Sequence, residues 1–91
     1  MVYTYIIYSI TLDKYYIGST ENIEDRLARH NRGSSKFTST AKDWKLVYSE
    51  KYDTKSEAIK REYEIKRKKS RKYIESLIKN IFAVGSEHPD F

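Results

Sequence analysis

Two neighbouring stretches decide the fold: Val2-Tyr3-Thr4-Tyr5-Ile6-Ile7-Tyr8-Ser9-Ile10 and Tyr15-Tyr16-Ile17-Gly18. Both are rich in β-branched and aromatic residues, which suit a pleated, half-buried surface. Alternation along the first places Tyr3, Tyr5 and Ile7 on one face and Val2, Thr4, Ile6 and Tyr8 on the other. Only the turn-like Thr11 to Lys14 separates the two stretches, so they are expected to pair as an antiparallel hairpin.

Working outward, Asn22 to Asn31 reads as a helix, with Asn22 as N-cap and acidic residues in the first turn. Ile23 and Leu27, four apart, form its apolar stripe. Gly33 stops it, and Ser34 to Asp43 is a polar loop. Trp44 to Lys51 alternates again and predicts a third strand. Thr54 and Glu57 have the spacing of a capping box and open a helix to about Lys66. Ser70 starts a last helix, in which Tyr73, Ile74, Leu77 and Ile78 recur at helical spacing. After Asn80 the pattern fades, and Gly85, Ser86 and Pro89 suggest a loose end. The order predicts an α+β domain over residues 1–80, with a flexible tail over 81–91. Its sheet is small, three-stranded and antiparallel, made of the N-terminal hairpin plus one later strand, and is flanked by helices.

Composition narrows the function. Ninety-one residues support one compact core. The absence of cysteine excludes a disulfide framework, a thiolate zinc site and a cysteine nucleophile, and it fits a reducing, cytoplasmic setting. No apolar run approaches the ~20 residues of a membrane span. Met1 leads straight into a strand-like segment, so no secretory signal is expected. Eighteen Lys and Arg against thirteen Asp and Glu give a net charge of +5, which favours a polyanionic partner. Between Lys60 and Lys72, eight of thirteen residues are basic. That density makes Lys60, Lys66, Arg67, Lys68, Lys69, Arg71 and Lys72 candidates for contacts to a nucleic-acid backbone, against the plainer reading of a solvated helix junction.

Two further placements resist a plain reading. On the second helix Glu62 falls roughly 40° around from Ala58, inside the arc marked by Ala58, Ile65 and Ile59. A carboxylate there needs a partner, because burying an unpaired charge costs several kcal/mol. It is either a structural ion pair with an arginine from elsewhere or a ligand for a hard divalent cation. On the first helix Arg26 and His30 are four apart and share a face beside the Ile23 and Leu27 stripe. They are either a solvated helix edge or a guanidinium and an imidazole placed to meet a phosphate.

The combined spacing resembles that of the GIY-YIG nuclease superfamily, most closely its small single-domain bacterial members, related to the N-terminal domain of the excision-repair nuclease subunit. The resemblance rests on Tyr5 and Tyr16, Tyr16-Ile17-Gly18-Ser19-Thr20, Arg26-Leu27-Ala28-Arg29-His30-Asn31, and Ala58-Ile59-Lys60-Arg61-Glu62 with Ile65-Lys66. It extends from Val2 to about Ile78. The first half of the name motif departs, reading Tyr3-Thr4-Tyr5, and Ser19 stands where the repair nuclease has a lysine.

The resemblance implies an endonuclease that hydrolyses phosphodiester bonds in DNA, duplex or branched, in repair or processing. Mg²⁺ or Mn²⁺ would be the cofactor. It implies Tyr5, Tyr16, Arg26, His30 and Glu62 as the catalytic set. Glu62 would hold the metal, Tyr5 take the water's proton and Arg26 hold the phosphate. Tyr16 would bond the water or phosphate, and His30 would orient a tyrosine or relay its proton. Two rivals remain. One is a non-catalytic nucleic-acid-binding module using the basic stretch over 60–72. The other is an interaction domain whose C-terminal helix docks a protein partner that supplies targeting.

Overall fold

The computed structural model describes residues 1–33 and 40–85, the last five of these in backbone only. Most of the polar loop expected before Trp44, and residues 86–91 of the expected tail, lie outside them. Val2–Ser9 forms β1 and Lys14–Thr20 forms β2, joined by a turn in which Asp13 takes a left-handed φ of 53°. Ile23–Asn31 forms α1, Lys45–Tyr52 β3, Lys55–Lys68 α2 and Arg71–Gly85 α3. α3 therefore continues through 81–85, beyond the point where its apolar periodicity fades.

The described residues form an α+β domain with one antiparallel sheet in the order β2-β1-β3. β1 takes the centre, where helices cover both its apolar faces and a strand on each side pairs its backbone groups out of water. In register, Tyr5 lies opposite Gly18 on β2 and Ser49 on β3. The β1–β3 ladder slips between Ile6 and Ile7, leaving Val47 as the extra residue of a bulge.

Alternation along β1 sorts the domain into layers. Tyr5 and Ile7 pack with Trp44 and Ala41 under α1, against Ile23 and Leu27. Ile6 packs with Ile17, Ile65 and Ile74 under α2 and α3. The Thr4 hydroxyl, on that second face, donates to the Ala58 carbonyl at 2.7 Å and ties α2 to the sheet. Helix ends follow the sequence signals. Asn22 caps α1 by accepting from the Asp25 amide, and Thr54 and Glu57 make the reciprocal capping box of α2.

Trp44, expected to open the third strand, instead turns into the core, and β3 begins at Lys45. The cause is Asn31. Its side chain accepts from the Trp44 amide at 2.8 Å and donates to the Trp44 carbonyl at 3.0 Å, replacing a strand partner with an amide at the end of α1.

On the far side of the sheet Glu50 anchors α2 to β3. It accepts from Arg61 Nε and Nη2 at 2.9 and 3.1 Å and from the Tyr48 and Tyr52 hydroxyls. Burial works to raise its carboxyl pKa, but the Arg61 and tyrosine hydrogen bonds outweigh burial and hold it below the ordinary value. Hydrogen bonds likewise depress Asp13 and Asp43. A carboxylate depressed in the fold adds stability above its unfolded pKa of about 4 and loses it as pH falls through the folded value. The carboxylates' part of the stability, read in denaturant unfolding, should therefore be constant near neutrality and fall below about pH 4. Glu50→Ala should cost about 2–4 kcal/mol, since it strands the half-buried Arg61 guanidinium and two phenols.

Candidate active site

The site is built around the outer edge of β2. Tyr5 projects from the middle of β1 onto its cross-strand neighbour Gly18, and its ring lies where any larger residue would stand. A Cβ on Gly18 would come within 2.5 Å of the Tyr5 hydroxyl and 2.7 Å of Cζ. The glycine is thus a requirement of close approach, with no unusual backbone angle involved.

That approach carries the Tyr5 hydroxyl to α1, where it lies 2.9 Å from His30 Nε2. Tyr5 is 1 % exposed and His30 2 %, so the contact is made out of water. Tyr16, two residues before Gly18 on the same face, completes an aromatic cluster. Its ring stands edge-on to His30 at 4.8 Å and tilted to Tyr5 at 6.4 Å. Burial pushes the Tyr5 phenol up to about 12, opposed by hydrogen bonding and charge from Arg26 and aided by the charges of Tyr16 and Glu62. Burial, with Arg26 adding to it, holds the His30 imidazole below its ordinary pKa. Arg26 faces both groups and also lines an open pocket of about 360 Å³ with Ser19, Thr20 and Arg29.

Glu62 approaches from the other layer. Ser19, the next residue along β2, points towards α2 by alternation, and its hydroxyl donates to Glu62 Oε1 at 2.6 Å. Lys66 donates to Oε2, also at 2.6 Å. Glu62 is only 14 % exposed, and its cation partner is a lysine one turn along the same helix, where the ion-pair reading of the sequence expected an arginine from elsewhere. Tyr5, Tyr16, Arg26, His30 and Glu62 thus come from four elements to one edge, two layers meeting across Gly18 and Ser19. Ser19 itself was not among the candidates. Its signal was the register of β2, which runs on to Thr20 and puts Ser19 on the Ile17 face.

The seven basic candidates do not form one surface. α2 ends at Lys68, and Lys69 takes a left-handed turn at φ 48°. Lys66, Lys69 and Arg71 consequently front β2 together with Lys14. Arg67 and Lys68 border a separate hollow beside Arg61 and Tyr73. Arg71 is neutralised by Asp13 and Glu75. Lys60 and Lys72 are exposed on the helices.

No cluster of three His, Cys, Asp or Glu side chains that could hold a metal occurs among the described residues. The donors at this edge are one carboxylate and one hydroxyl, both oxygen. That set fits a hard cation such as Mg²⁺ or Mn²⁺, which is held by one or two carboxylates and keeps several waters.

Comparison with known proteins places the chain. The model for the GIY-YIG catalytic domain matches residues 1–74, and the chain belongs to the GIY-YIG family, a nuclease-type domain. A UPF0213 protein of Staphylococcus saprophyticus is 52 % identical over 52 residues, which is 56 % of this chain and 63 % of that protein. UPF0213 proteins of Staphylococcus aureus are 50 % identical over the same length and coverage. The chain thus spans less than two thirds of these relatives. No solved structure gives a significant match. No helix among the described residues is long and apolar enough to cross a membrane.

The packing of Tyr5 on Gly18 makes a direct prediction. Gly18→Ala should cost about 1–3 kcal/mol in denaturant unfolding, because a rigid buried ring must shift. In an NMR titration His30 should protonate below the usual ~6.5. Its stability contribution should be complete above that value and decline as pH falls below it, since the unfolded chain takes up a proton that the fold resists.

Proposed function

We propose that this domain is an endonuclease that hydrolyses phosphodiester bonds in DNA, in repair or processing, with one Mg²⁺ or Mn²⁺ held at Glu62. The observation that carries this reading is the approach of Tyr5, Tyr16, Arg26, His30 and Glu62 to one edge of the sheet. Membership of a nuclease-type family supports it. A DNA substrate and a chain without cysteine suit the cytoplasm, and a protein partner on the C-terminal helix would supply targeting.

A divalent cation, held at Glu62 with the Ser19 hydroxyl beside it, would supply Lewis acidity to the phosphoryl group. The chain's own residues do the rest. With its pKa near 12, the Tyr5 phenol is protonated at neutral pH and does not start as a base. It works as a relay, donating its proton to the neutral His30 Nε2 while its oxygen accepts one from the attacking water; the new bond to phosphorus forms as the bond to the departing oxygen breaks, and that oxygen takes its proton from solvent. The step leaves His30 as an imidazolium, which burial and the Arg26 charge both disfavour, so the proton passes on to solvent once the phosphate product has formed. Arg26 holds the phosphate with a fork of donors, and its charge restrains His30 from protonating early. Tyr16 hydrogen-bonds the water or the phosphate, and its ring keeps the imidazole in place.

A plasmid-nicking assay tests the reading. Supercoiled DNA should be nicked with Mg²⁺ or Mn²⁺ and spared with EDTA, and Glu62→Gln should lower the rate by about 10²-fold or more. That variant should keep its thermal midpoint, since Ser19 can donate to the amide carbonyl and Lys66 returns to water. DNA binding without nicking under any metal would establish the non-catalytic binding module instead. Neutralising Lys66, Arg67, Lys68 and Lys69 together should flatten the slope of log K against log salt by about 0.9 for each phosphate that is no longer neutralised. An unchanged slope would reduce the basic run to a solvated junction.

A further inference from the structure

Lys66 stands between two environments. Its ammonium donates to Glu62 Oε2 at 2.6 Å while Ser19 donates to Oε1, so each carboxylate oxygen already carries a donor. The same side chain lines a groove of about 330 Å³ beside β2, with Lys14, Lys69 and the Arg71–Asp13 ion pair around it and Ile17 and Ile74 in its lining. The carboxylate is sheltered at 14 % exposure, whereas the lysine is 44 % exposed on a flexible four-carbon stem. Of the two, the lysine is the partner free to move.

A divalent cation and an ammonium repel each other when both sit on one carboxylate. The cation can take Glu62 only as Lys66 leaves, and the near refuge for Lys66 is a groove whose net charge is already positive through Lys14 and Lys69, its Arg71 being paired with Asp13. Such a groove gains by taking up a polyanion.

We infer that Lys66 is the resident counter-cation of Glu62, displaced into the β2 groove by an arriving divalent cation and there turned to a phosphate of the nucleic-acid strand. This rests on the reading of Glu62 as the metal ligand. Lys66 is a positioning residue: it weakens binding of the metal alone, and it links metal binding to strand binding because each ligand favours the same displaced state.

The test measures Mn²⁺ binding to the full chain by electron paramagnetic resonance, without nucleic acid. Lys66→Met should bind Mn²⁺ about three- to tenfold tighter than the native chain, the range expected from releasing a half-exposed ion pair. Lys69→Met makes the same charge change in the same groove without touching Glu62, and should alter the affinity by less than twofold. Lys66→Arg should stay near the native value. Adding a nuclease-resistant phosphorothioate duplex should tighten Mn²⁺ binding more in the native chain than in Lys66→Met. If Lys66→Met leaves affinity unchanged, or Lys69→Met raises it equally, while Glu62→Gln still weakens binding, the role of Lys66 is overturned and the metal reading stands. If Glu62→Gln binds Mn²⁺ as the native chain does, the ligand assignment fails and takes this inference with it.

Discussion

The contact on which the rest of the structure depends is the Tyr5 ring lying on Gly18. Because residue 18 has no Cβ, a phenol from the central strand crosses its neighbour and brings a hydroxyl to His30. That contact locks the register of β1 and β2, since a slip of one residue would send Tyr5 into the opposite layer. It also fixes α1, whose one buried residue is His30. Tyr16 fills the remaining side of the imidazole. One missing methyl group thus holds the hairpin, the helix and the aromatic half of the site in a single arrangement.

The next residue supplies the other half. A strand turns successive side chains to opposite faces, so Ser19 follows Gly18 into the α2 layer and meets Glu62. The two halves treat charge differently. Tyr5 and His30 are almost fully buried, and both are held in their neutral forms by that burial. Glu62 instead has both carboxylate oxygens satisfied, by the Ser19 hydroxyl and the half-exposed Lys66 ammonium. Burying the carboxylate with the imidazole would have cost far more. An edge strand is the place where a fully buried hydrogen bond and a partly exposed ion pair can lie a residue apart.

Much of this was legible in the sequence where the cause is local. Alternation in β1 named its two faces, and Asn22 and the Thr54–Glu57 pair marked the helix starts through caps that act over three residues. What escaped depends on distant partners. Asn31 captures the backbone of Trp44 across 13 positions and takes it out of the third strand. His30 reads as a helix-edge residue until Tyr5, 25 positions earlier, is placed against it. The partner of Glu62 was within reach, since Lys66 lies one turn away on the same face. It was hidden because the basic run reads as one unit, whereas helical periodicity sets Lys66 apart from Arg67 and Lys68 and the left-handed turn at Lys69 brings that residue to the Lys66 side.

That division changes what the charge can do. Positive side chains spread along one helix would hold a polyanion anywhere on its length. Here Lys14, Lys66 and Lys69 gather beside β2, within reach of the edge where Gly18 and Ser19 join the two halves of the site. If the groove takes a nucleic-acid strand, as proposed, that strand's backbone is brought beside Glu62 by Lys66 before any base is read. On the proposed reading, this compensates for a carboxylate site too sparse to hold a cation tightly by itself: phosphate oxygens complete the coordination that one glutamate begins. The buried tyrosine–histidine pair is preformed, and Glu62 already holds Ser19 and Lys66; on the proposed reading, metal and strand together rearrange that charged half.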